Sequence, residues 1–225
     1  MLETKHCCIC SQVRGDSKND LIATMLDTGS YVRRIPLEGD RLAAIPSLGP
    51  LAPGHTLLCP KDHYRSFAGL PDEFEEEYVH LKTRLSKVLQ RVYGTSVHCF
   101  EHGMARSGTH VPCTVEHAHL HFVPTNVDVW PRLKSERVWK TVGTPLADLR
   151  ITVAETEYLY YEGPDGIRRV STLEADRSSE SQYLRRVFAD TLGVSEKWDW
   201  RQVPAPMETH QTYQSIKQIL SNELC

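Results

Sequence analysis

The sequence predicts an α+β fold: an antiparallel sheet carrying one long helix, followed by a C-terminal extension of mixed α and β structure. Three observations point there. His117-Ala118-His119-Leu120-His121-Phe122-Val123 alternates imidazoles with apolar side chains, the two-residue period of a strand. Phe74, Tyr78, Leu81, Leu85, Val88, Leu89 and Val92 recur at helical spacing. Short apolar runs bounded by Gly, Pro and Asp lie on both sides of that helix.

Taken in order, Cys7 to Asp20 reads as a knuckle and loop. Tyr31–Ile35 and Arg41–Ile45 read as strands joined across Glu38-Gly39-Asp40, and His55–Cys59 as a buried strand after the Pro53-Gly54 turn. Pro71 suits a first helical turn, where its missing N–H is no loss, and Gly94 suits the stop. Glu75-Glu76-Glu77 is the solvated side of that helix, well placed near its positive end. Val97–Phe100 is the next strand. Glu101 to Glu116, rich in Gly, Ser, Thr and Pro, is a loop feeding the histidine strand. The resulting order is β-β-β-α-β-loop-β, with the boundary of this first domain at 1–130.

Residues 131–225 form the extension. Ile151–Tyr161 reads as a strand, Gly163-Pro164-Asp165-Gly166 as a turn and Ile167–Thr172 as the hairpin partner. Ser179 and Gln182 make a capping box for a helix bearing Tyr183, Leu184, Val187, Phe188 and Leu192, closed by Gly193. Gln211–Leu224 is a terminal helix. The region either completes packing and a dimer interface, or shapes substrate choice through Arg168, Arg169, Arg185 or Arg186.

A formal net charge of −3 argues against a surface for nucleic acid. No apolar run is long enough for a bilayer, and Lys5-His6-Cys7 is no signal-peptide opening. The seven cysteines are odd in number and include a close Cys7-x-x-Cys10 pair, which suits a reducing cytoplasm better than a disulfide framework. A row of imidazoles on one face suits metal binding or nucleophilic attack on phosphorus.

That row resembles the signature of the histidine-triad (HIT) superfamily. Pro53-Gly54-His55 and Pro60-Lys61-Asp62-His63 are similar to the family's Pro-Gly-His turn and Pro-Lys-x-His segment, and Cys7-x-x-Cys10 stands where many bacterial members carry such a pair. The resemblance covers roughly the first 125 residues. It implies His119 as nucleophile and His121 as the residue at the phosphate or leaving group, where as a cation it would offset developing negative charge. Thr114 falls where family members carry a serine that hydrogen-bonds the leaving oxygen. Nucleotide and phosphate contacts are expected from Ser47, Glu101, Gly103, Ser107 and Gly108, with Thr114 and His121. His102 and His110 lie in the same loop. Two thiolates and two imidazoles make a normal tetrahedral Zn²⁺ set; the resemblance implies that Cys7, Cys10, His63 and His117 hold a structural zinc, with Cys8-x-Cys10 a poorer competing pair.

This chain departs from the family in two places. Many HIT hydrolases carry an Asp for the ribose hydroxyls where Ser47 stands here, and Phe100-Glu101-His102-Gly103 is closer to the Phe-Glu-Asn-x-Gly of the uridylyltransferase branch, whose catalytic motif ends in Gln rather than in His121. The activity implied is hydrolysis of a nucleotide phosphoanhydride or phosphoramidate through a nucleotidyl-histidine, releasing a nucleoside monophosphate. The alternatives are nucleotidyl transfer or phosphorolysis of a dinucleoside polyphosphate by the same histidine, and a non-catalytic nucleotide-binding protein. The implied partners are a nucleotide-type small molecule and a second copy of the chain in a homodimer, with neither nucleic acid nor membrane.

Overall fold

The structure, a computed structural model, describes residues 7–26, 31–104, 115–143, 146–173 and 181–223. Among these, β1 (Leu37–Glu38), β2 (Leu42–Pro46), β3 (Thr56–Pro60), β4 (Val97–Gly103), β5 (Leu120–Pro124), β6 (Lys140–Val142), β7 (Tyr158–Glu162) and β8 (Arg168–Thr172) form one sheet in the order β1-β2-β3-β5-β4-β7-β8-β6. Every pairing is antiparallel. The sheet does not stop where the first five strands end. β7 adds to the free side of β4 with Phe100 opposite Tyr161, and β8 follows through the Gly163–Gly166 turn.

Alternation along β7 explains why this sheet is covered on both faces. Tyr158 and Tyr160 join one core with Leu58, Leu120, Phe122 and Cys99; Leu159 and Tyr161 join a second with Phe100 and Val123. The first core is sealed by α3 (Glu75–Tyr93), whose Tyr78, Leu81, Leu85, Val88 and Leu89 are buried at the predicted spacing. Leu85 and Leu89 are fully enclosed, so truncating either to Ala removes about 2–5 kcal/mol. α5 (Ala147–Val153) and the end of α7 (Pro206–Asn222) pack on the same side. The second core lies under α4 (Trp130–Glu136) and α6 (Tyr183–Thr191). Next to it α1 (Cys8–Arg14), followed along the chain by α2 (Leu21–Leu26), sets Ile9 and Val13 against Ala43, Ile45 and Leu57 of β2 and β3.

Several sequence expectations give way here. Cys7 to Asp20 is not all loop: Cys7 caps α1 with its thiol, which accepts from the Cys10 N–H, and Gly15 ends it. Residues 31–35 form no strand, and the β2 partner is the two-residue β1. Residues 151–153 belong to α5, so the next strand opens only at Tyr158; Ile151 is exposed, which a helix with one buried side tolerates. Gln182 is not the third residue of a capping box but the N-cap itself, at φ +56° with no side-chain cap, and Ser179 lies outside the described residues. The last helix starts at Pro206 rather than Gln211. β5 begins at Leu120, so His117 and His119 occupy its extended lead-in, where the Ala118 N–H donates to the Tyr64 carbonyl.

Candidate active site and metal centre

The first cluster is built by three separate segments. α1 contributes Cys7 and Cys10, the turn after β3 contributes His63, and the lead-in to β5 contributes His117. Their four ligand atoms lie within 4.8 Å of one another. Cys7 Sγ and Cys10 Sγ are 3.5 and 3.3 Å from His117 Nδ1, and Cys10 Sγ is 3.4 Å from His63 Nδ1. Tetrahedral zinc with ordinary bond lengths separates a sulfur and a nitrogen ligand by about 3.5 Å. His117 donates its Nε2–H to the Pro60 carbonyl at 2.8 Å, which leaves the Nδ1 lone pair facing the thiols. Burial, reinforced by Cys7, pushes the Cys10 thiol up to about 12, and burial pulls His117 down to about 3. Both groups are held neutral, and a dication among them would draw the thiols into thiolates. Cys8 points elsewhere, into the neighbouring cleft, so the Cys8-x-Cys10 pairing is not formed.

The cleft has a cavity volume of about 90 Å³ and opens to solvent. His119 and His121 line it, with an apolar wall of Ile9, Leu21, Ile45, Leu48 and Leu57. The backbone assigns the ring protons. His119 Nδ1 lies 2.5 Å from the His117 carbonyl, which only accepts, so Nδ1 carries the proton and Nε2 keeps its lone pair. A relay sets His121. The Leu51 N–H donates to His55 Nδ1 at 3.1 Å, so neutral His55 carries its proton on Nε2 and donates to His121 Nδ1 at 2.8 Å. His121 then holds its own proton on Nε2. Burial pushes His55 and His121 well below the ordinary imidazole range, and His119 below it. His121 is therefore a neutral donor here, not the cation anticipated from the sequence: desolvation and neighbouring positive groups disfavour the charged form. Phe100 stacks on it at 4.2 Å between ring centroids and fixes its plane.

The remaining expected positions divide. Ser47 lines the cleft, its hydroxyl donating to the Leu48 carbonyl. Glu101 does not reach the cleft, because β4 turns Phe100 and His102 toward it and Glu101 to the opposite face. There Glu101 accepts from the Phe67 N–H and the Tyr158 hydroxyl, and burial raises its carboxyl to about 7. Gly103 shares that face and is the last residue of β4 rather than part of a phosphate loop; a Cβ there would meet the Tyr158 ring at 2.1 Å. Ser107, Gly108, His110 and Thr114 lie outside the described residues. His102 lines the cleft and binds Glu157 at 2.7 Å. Of the four arginines, Arg185 alone is among the residues lining the cleft; Arg169 pairs with Asp165, Arg168 with Glu162, and Arg186 lies over Trp198. Sequence reasoning missed His55 as a site residue although its Pro-Gly-His turn was in view, and missed Phe100, Gln182 and Trp200 as lining.

Residues 33–127 match the family model described as the HIT domain. That stretch of the chain is similar to the HIT domain. It is 30% identical over 87 residues to an uncharacterized HIT-like protein of Borreliella burgdorferi, covering 39% of this chain and 62% of that one. It is 26% identical over 174 residues to zinc finger CCCH domain-containing protein 59 of Oryza sativa subsp. japonica, covering 68% of this chain and 26% of the relative. The chain thus spans less than two thirds of either relative. Among solved structures, a HIT family member from Bacillus subtilis is 19% identical with a TM-score of 0.42, covering 54% of this chain and 74% of that one. A zinc-bound histidine triad family protein from Mycobacterium smegmatis is 22% identical with a TM-score of 0.39, covering 52% and 73%.

Proposed function

We propose that this protein cleaves nucleotide phosphoanhydrides or phosphoramidates through a nucleotide covalently held on His119. One observation carries the reading: the His117 carbonyl holds the Nδ1 proton of His119 while its Nε2 lone pair is available in a cleft beside a second imidazole arranged as a donor. Nε2 attacks the α-phosphorus, forming an N–P bond as the bond to the departing group breaks with its electron pair. The His121 Nε2–H hydrogen-bonds the departing atom, a departing amine takes its proton from solvent in the open cleft, and the His117 carbonyl stabilises the positive charge that develops on the phosphorylated ring. Water then attacks phosphorus and releases a proton to solvent, the N–P electrons return to His119, and a nucleoside monophosphate leaves. The apolar wall from α1 and β2 suits a base, with Ser47 at the expected ribose position. Cys7, Cys10, His63 and His117 are the residues that would hold a structural zinc. Four protein ligands would leave no open coordination position, so a bound ion would supply rigidity to His117 and, through its carbonyl, to His119.

The five free thiols among the described residues suit a reducing cytoplasm, and no described helix is long and apolar enough to cross a membrane. If the chain forms a homodimer, β4 is not the shared edge: β5 and β7 already flank it. The test is incubation with diadenosine tetraphosphate or an adenylyl-amine, with and without inorganic phosphate, followed by chromatography. Nucleoside monophosphate regardless of phosphate is the result expected. A nucleoside diphosphate formed only with phosphate present would move the assignment to phosphorolysis, and no release from a broad nucleotide panel would leave a binding protein.

A further inference from the structure

Arg185, near the start of α6, is 5% exposed and lines the same cleft as His119 and His121. Its Nε donates to the Trp198 carbonyl at 2.8 Å, and its Nη2 donates to the carbonyls of Gly49 and Lys197 at 2.6 and 3.0 Å. These three acceptors are neutral, and Nη1 has no hydrogen-bond partner among the described residues. No carboxylate there pairs with the guanidinium; Asp199 acts on it only through space. Its charge is felt at His55 and His121, which places it beside the reacting groups.

A buried cation without a counter-charge is destabilising, and an apolar side chain of similar volume would pack the same space without that penalty. Three carbonyls hold this guanidinium rigidly, with one edge uncommitted, in a cleft that admits a ligand. None of the described residues supplies the missing counter-charge, and an anion arriving from outside would. We propose that Arg185 binds a second phosphate, distinct from the one His119 attacks, and so selects for reactions in which the departing half or the acceptor is itself a phosphate. The proposal rests on the His119 reading for its substrate, but the binding of phosphate by Arg185 does not require turnover.

The test has two arms on the full chain. Inorganic pyrophosphate is titrated calorimetrically into wild type, Arg185→Gln and Arg185→Lys. Loss of charge-assisted hydrogen bonds should weaken binding by about 10- to 100-fold in Arg185→Gln, with Arg185→Lys between, since lysine keeps the charge but not the fork. Equal affinity in all three overturns the proposal. If Arg185→Gln does not fold, the lysine variant decides, and unchanged affinity there counts against it. In the second arm, the preference for diadenosine tetraphosphate over an adenylyl-amine, measured as the ratio of kcat/KM values, should fall by a similar factor in Arg185→Gln, assigning the phosphate to the departing half. A fall only in stimulation by added inorganic phosphate assigns it to the acceptor. Equal losses on every substrate mean that Arg185 merely braces the 197–198 segment, and overturn the idea. If wild type turns over nothing while pyrophosphate binds through Arg185, the cleavage reading fails and the anion site stands.

Discussion

His117 and His119 stand two residues apart, both largely enclosed, and are equipped for different work. His117 commits Nε2 to the Pro60 carbonyl and turns Nδ1 toward two sulfurs. His119 commits Nδ1 to the carbonyl of His117 and keeps Nε2 for an open cleft. The residue type is the same; the nitrogen that the backbone claims decides whether the ring is suited to hold a cation or to attack an electrophile. The same logic extends to His121, whose donor character descends from the Leu51 N–H by way of His55.

The comparison breaks most visibly at His119. His119→Ala should lower turnover by about 10⁴-fold or more, as loss of a nucleophile does, while the melting temperature stays within a few degrees of wild type. Retained activity measured by product release would remove His119 from the mechanism. On the other side, Cys10→Ala should lose the roughly one zinc per chain expected of the native protein. It should also unfold at lower urea, by the equivalent of at least about 3 kcal/mol, with KM moving less than about threefold. A variant that loses metal, keeps its stability and changes KM instead would erase the division of labour between the clusters.

A smaller effect tests a buried ionisable group that serves neither cluster. Burial raises Glu101 from its ordinary 4.5 to about 7. Between those values the folded chain retains the proton that the unfolded chain has released. The linked stability is whole below the unfolded value and lost as pH rises through the folded one, a span of roughly 3 kcal/mol. Urea midpoints at pH 5 and pH 8 should therefore differ more in wild type than in Glu101→Gln, and equal differences would mean that Glu101 does not carry this dependence. The finest effect concerns the relay. His55→Phe keeps a ring in place but removes the donor to His121, so kcat should fall by about 10- to 100-fold with KM nearly constant, as for other orienting partners. Rapid quench should still trap the labelled intermediate on His119; a KM effect instead would make His55 a substrate contact.

Local pattern carried much of this protein. The alternation of His117 to Val123 identified the faces correctly even though β5 starts only at Leu120: Ala118, Leu120 and Phe122 enter the core and the imidazoles do not. The spacing from Phe74 to Leu89 found α3, and Gly163–Gly166 found the β7–β8 turn. Cys7, Cys10, His63 and His117, separated by more than a hundred residues in sequence, do converge. Alternation would also have excluded Glu101, since Phe100 and His102 share the face it cannot. By contrast, nothing local told apart the arginines of the C-terminal half, or foretold that β7 would join β4 and bring α6 to the cleft.

Sequence alone is enough to assign which residues share a face and which turns reverse the chain, because backbone geometry over a few residues sets those periods. Which imidazole nitrogen is free, which arginine is buried without a paired carboxylate among the described residues, and which strands are neighbours are settled in three dimensions. Each of those depends on desolvation or on a hydrogen-bond partner supplied by a distant segment, and no local spacing records it.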